Sequence, residues 1–234
     1  MHEIDREEIE NSLIDSRNSD LWKYLMSRYK IKVFQDDEGN SRVQDTGNGY
    51  MIVLVCDNFN NEVFTHEMLH IYIIDKYFDI INYLYDICDS KPSLKSIFPY
   101  SVACFINNML SHMLMYPIYE KMGYDMTTFT PPVNVEYVNN LIPEFSKIDL
   151  SNGTVVYYNI TNFIAYEIMM LSESWHYDYS EHLDILKEKD ADLFKITEDL
   201  VVNWKDTDNT EDLKLLLDKF MVSLNDWIIK KRQS

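Results

Sequence analysis

Two long segments, Glu62 to Asp86 and Ser101 to Met122, carry apolar residues round nearly their whole circumference when read at helical spacing. A helix of that kind cannot lie on a surface, so other elements must wrap it. The material for such a core is present, since 46% of the 234 residues are hydrophobic and 14% aromatic. With 5 Gly and 6 Pro, the chain is poor in the residues that a turn-dense all-β fold or a long linker requires.

The flanking segments complete an α+β reading. Residues 5 to 29 predict one or two helices, with Ser19-Asp20 as a start signal. IKVF and SRVQ, on either side of DDEGN, predict a hairpin. After Gly47-Asn48-Gly49 the run YMIVLVC predicts a buried strand, giving a sheet of about three strands. Asp57 to Asn61 offer caps for the helix that follows. Pro117 is expected to kink or end the second long helix, and Gly123 to stop it. Beyond the breaker Thr130-Pro131-Pro132, helices are expected over 154–172, 180–204 and 210–231. The acidic run from Glu181 to Asp192 reads as a solvated helix face, and His2 and His182 as surface residues. The expectation is one mostly helical domain over 1–234, with a small N-terminal sheet packed on a central helix. About 1–130 would hold the sheet and the long helices, and about 131–234 a helical subdomain.

Lys and Arg number 21 against 39 Asp and Glu, a formal charge of -18. That field repels phosphate backbones and favours basic or neutral partners, so no nucleic acid is expected. Cys56, Cys88 and Cys104 form no CxxC and sit in apolar runs, which predicts buried, reduced thiols in a cytoplasmic protein. The acidic start MHEIDREEIE is unlike a signal peptide, and no apolar stretch is long enough to predict a membrane span.

One motif carries chemistry. Thr65-His66-Glu67-Met68-Leu69-His70 places HExxH on the first long helix. Residues four apart lie about 40° apart round a helix, so both imidazoles can reach one metal ion. Glu67, about 100° from His66, can hold a water at that ion without ligating it. The strand–loop–helix order suggests that the strand before the motif aligns an extended substrate by β-augmentation. Residues 50 to 74 resemble the core of the zincin metallopeptidases, including a small residue, here Thr65, just before HExxH. The resemblance covers about a tenth of the chain and implies one zinc ion, held by His66 and His70, with Glu67 as general base. The compact size and early motif are similar to small gluzincin-like proteins.

A catalytic zinc has three protein ligands and an open position. Asp75 lies about 180° round the helix from His66, and Asp79 is also badly placed. Lys76 stands where a metzincin has its third histidine, so the chain is not metzincin-like. Gluzincins take the third ligand from a following helix. Here Asn107-Asn108-Met109-Leu110-Ser111-His112 resembles their NExxSD pattern, with Asn108 replacing the ligand glutamate and His112 the aspartate. His112 is the expected third ligand, Glu120 the runner-up, and Asn108 a residue that orients a ligand from behind. Tyr116 and Tyr119 share the His112 face, so either is a candidate donor to a developing oxyanion, the simpler reading being that they pack. His176, in an aromatic loop, is a further oxyanion candidate whose simpler reading is a partly exposed loop residue.

The expected function is a zinc-dependent peptidase acting on a peptide or protein, with basic segments favoured by charge. The alternatives are a non-catalytic zincin-like binding or regulatory protein with a structural metal or none, and an acidic helical interaction protein.

Overall fold

The computed structural model describes residues 1–130, 135–150, 156–173 and 177–233. In chain order the strands are β1 (His2–Ile4), β2 (Ile31–Asp36), β3 (Arg42–Asp45) and β4 (Tyr50–Val55). The helices are α1 (Arg6–Ser12), α2 (Ser19–Arg28), α3 (Asn61–Lys76), α4 (Ile80–Ser90), α5 (Pro92–Lys95) and α6 (Tyr100–Lys121). They continue with α7 (Val135–Asn139), α8 (Leu141–Ser146), α9 (Tyr157–Ser172), α10 (Ser180–Lys189), α11 (Ala191–Lys205) and α12 (Thr210–Gln233). The protein is therefore α+β and mostly helical. It divides into two compact units, Met1–Tyr77 with Leu114–Pro131, and Phe78–Met113 with Pro132–Ser234.

The first unit holds the sheet, in the order β1-β2-β4-β3. The hairpin expected between β2 and β3 does not form. β4 lies between them, parallel to β2 with Ile31 opposite Tyr50, and antiparallel to β3 with Arg42 opposite Val53. The apolar composition of β4 decides this, because Ile52, Val53 and Leu54 are fully buried only in a central strand. Gly49 permits it. A Cβ there would stand 2.1 Å from the Lys30 carbonyl oxygen, at φ +146. The Tyr50 amide bonds the same oxygen at 2.8 Å and so fixes the register. A central strand has no open edge, so β4 cannot align a substrate; β1 and β3 are the edges.

α3 packs on β3, β4 and α2. The Asn60 side chain caps it by accepting from the Val63 amide at 2.9 Å. Phe64, Met68, Leu69, Ile71 and Ile73 are buried along it. At roughly 1.5–3 kcal/mol for each large apolar side chain, packing rather than propensity holds this helix in place. The single helix expected over 62–86 is broken after Lys76. Asp79 caps a new helix by accepting from the Asn82 amide at 3.0 Å, a local bond that hydrophobic periodicity cannot register. At its C-terminal end α3 is anchored by Asp75, which accepts from Arg28 Nε at 3.0 Å and from the Tyr24 and Tyr29 hydroxyls. Burial raises the Asp75 pKa, but these three donors outweigh it and hold the carboxyl below its ordinary value.

α6 runs through Pro117 instead of ending there, and the chain turns at Gly123, φ +82. The second unit is built from helices. Trp204 is fully buried and donates to the Leu110 carbonyl at 3.0 Å. The helix expected over 180–204 splits at Asp190, whose Oδ1 accepts from the Leu193 amide at 2.8 Å and from Trp227 Nε1 at 3.2 Å. Its other oxygen pairs with Lys231 at 2.8 Å. The acidic run is thus not wholly solvated, since Asp190 is buried. His182 is also buried, not a surface residue, with Nε2 3.2 Å from the Val138 carbonyl. The thiols differ as well. Cys88 is buried, Cys104 half-buried, and Cys56 exposed beyond the end of β4, with Sγ 3.2 Å from Asp37 Oδ1. No helix among the described residues is long and apolar enough to cross a membrane.

Candidate metal centre

Helical spacing sets the first two donors. His66 Nε2 and His70 Nε2 face each other at 3.2 Å, with ring centroids 5.0 Å apart. A metal–nitrogen bond of about 2.05 Å in a tetrahedral shell separates two ligand nitrogens by about 3.3 Å, so this pair fits such an ion. The candidate third donor is His112 on α6. One ring nitrogen from each of His66, His70 and His112 lies within 4.8 Å of the others. Three imidazoles form a borderline donor set suited to zinc and its neighbours in the first transition row.

The electrostatics favour neutral imidazoles. Burial lowers the His70 pKa to about 4. Burial, with His70 beside it, takes that of His66 well below its usual value, and the Phe129 backbone pulls only weakly the other way. A neutral imidazole has the lone pair that a metal requires. Glu67, on the next position of α3, is 5% exposed, and burial raises its pKa to about 8 against the opposing pull of Arg42. No motif marks Arg42; it comes to Glu67 on the sheet.

Glu120 is exposed and stands outside the histidine group. Asn108 is half-buried on α6, one turn before His112. Tyr116 and Tyr119 converge on Phe129, with ring centroids 5.3 and 5.1 Å from it, and the His66 ring packs on the same Phe129 at 4.7 Å. The Tyr119 hydroxyl shares a hydrogen bond with Thr128 Oγ1 at 3.0 Å, and its ring stacks on Tyr124. Burial raises both tyrosine pKa values to about 12, so both hydroxyls keep their protons at neutral pH. His176 lies outside the described residues. Phe129 gave no sequence signal beyond being apolar.

Thr65 proves to be a fastening point. Its hydroxyl donates to the Asn61 carbonyl at 2.6 Å, accepts from Asn18 Nδ2 at 2.9 Å and lies 3.0 Å from the Tyr124 hydroxyl. Asn18 is fully buried and also donates to the Leu13 carbonyl at 2.9 Å. The HExxH helix is thereby tied to the turn between α1 and α2. Comparison with protein-family models, with curated proteins and with solved structures gave no match for this chain.

Proposed function

We propose that the chain is a zinc-dependent peptidase with His66, His70 and His112 as metal ligands and Glu67 as general base. The observation that carries this reading is the 3.2 Å approach of the two imidazole nitrogens, with His112 in reach and Glu67 buried beside them. Zinc, when bound, supplies a Lewis acid that polarises a carbonyl and acidifies water. Glu67 takes the proton of the water whose oxygen bonds the scissile carbonyl carbon. As the carbon–nitrogen bond breaks, Glu67 returns that proton to the leaving amine. Burial raises the Glu67 pKa, and the charge of a bound zinc would draw it back down, towards the carboxylate that a general base requires. The Tyr116 hydroxyl, protonated at neutral pH, is the donor assigned to the oxyanion. The open edge of β3, the strand on which α3 packs, is the natural place for an extended peptide. The -18 charge favours peptides carrying basic residues.

The test is metal analysis of protein supplied with zinc. One zinc per chain is expected, lost in His66→Ala, His70→Ala and His112→Ala while circular dichroism stays unchanged. Zinc retained by folded His112→Ala, or none bound by the parent protein, overturns the reading.

A further inference from the structure

The metal centre leaves α12 without a role beyond packing, yet one face of it is unusual. Leu215, Val222 and Ile229 are 48%, 47% and 45% exposed. They are spaced seven apart, which on a helix makes one stripe about 21 Å long. The same helix turns Leu213, Leu217, Phe220, Met221, Leu224, Trp227 and Ile228 into its own unit, so its core-facing side is already satisfied. We propose that this stripe is a dimer interface with a second copy of the chain, the two α12 helices lying antiparallel across a twofold axis at Val222.

Charge selects both the occupant and the direction. Lys219 and Asp226 are exposed and stand on one flank of the stripe, each four residues after a stripe position. Neither forms an ion pair with a described residue of its own chain. In an antiparallel pair these flanks face each other, so Lys219 of each copy meets Asp226 of the other, and Leu215 meets Ile229. A parallel pair would set this flank against positions held by Met221 and Ile228, which are fully buried in their own chain. The helix ends agree. The first turn carries Glu211 and Asp212 and the last Lys230 and Arg232, and only the antiparallel arrangement brings them together, whereas Lys231 turns inward to Asp190. The -18 net charge opposes association at low ionic strength, so the dimer forms best where salt screens that repulsion.

Sedimentation velocity at about 0.15 M salt tests this, with the whole chain at increasing concentration. A dimer that grows with concentration is expected, absent in Val222→Glu while circular dichroism and zinc binding are kept. Lys219→Glu and Asp226→Lys should each weaken the dimer on the order of tenfold, and the double exchange should restore it. A monomer at every concentration overturns the proposal and leaves the stripe to a different partner. A dimer that survives Val222→Glu overturns it too, as does a double variant no tighter than the single ones.

Discussion

Each unit of the protein buries a glutamate, and the two behave differently. Glu67 lies in the first unit beside two histidines, 5% exposed, with a pKa of about 8. Glu167 lies on α9 in the second unit, fully buried, and burial drives its pKa well above the carboxylate range against a smaller pull from Thr197. Thr197 and the Glu198 backbone are the polar groups that pull the other way, and the Thr197 hydroxyl also donates to the Leu193 carbonyl at 3.3 Å. The histidines repeat the contrast. His182 is buried among Phe145, Tyr177 and Tyr179, whereas His66 and His70 aim their nitrogens at one point. Burial alone perturbs a titration; a site needs burial and convergence together.

The comparison breaks most sharply in activity. Glu67→Gln should keep its zinc and lose about 100- to 10,000-fold in peptide hydrolysis, while Glu167→Gln leaves the rate unchanged. Equal rates for Glu67→Gln and the parent protein would remove the functional half of the contrast. Next comes the scaffold behind the motif. Asn18→Ala strips the Leu13 carbonyl and Thr65 of their donor, and should cost about 2–3 kcal/mol in urea unfolding.

Titration of the second unit gives a smaller effect. The folded pKa of Glu167 is raised above its unfolded value, so the stability tied to its proton is complete below the unfolded pKa, near 4.5. It declines as pH rises towards the folded pKa. Glu167→Gln should therefore flatten the fall in melting temperature between pH 5 and pH 8; an unchanged slope would mean that the carboxyl is not held neutral. Glu120→Ala should change least, with zinc affinity the same within error by competition with a chelator. A clear loss would bring Glu120 into the ligand set in place of an exposed position.

Some of the architecture was legible because its causes are local. The turn at Gly123 and the cap at Asn60 follow from backbone conformation and from bonds spanning three residues. The breaks at Asp79 and Asp190 were equally local but hidden, because a capping aspartate interrupts a helix without interrupting the apolar pattern around it. The hairpin misled for a different reason. A Gly-Asn turn is compatible with pairing β2 to β3, yet pairing both with β4 buries far more apolar surface.

The sequence by itself determined that the chain is mostly helical around a small sheet, and that His66 and His70 lie one turn apart with Glu67 between them. Covalent helix geometry dictates those relations whatever surrounds them. Only the tertiary structure decided that His112 approaches them and Glu120 does not, that Phe129 packs on His66, and that Arg42 bears on Glu67. These residues are between about 25 and 65 positions apart, and such contacts are selected by the burial of the whole core, which no short window of sequence contains.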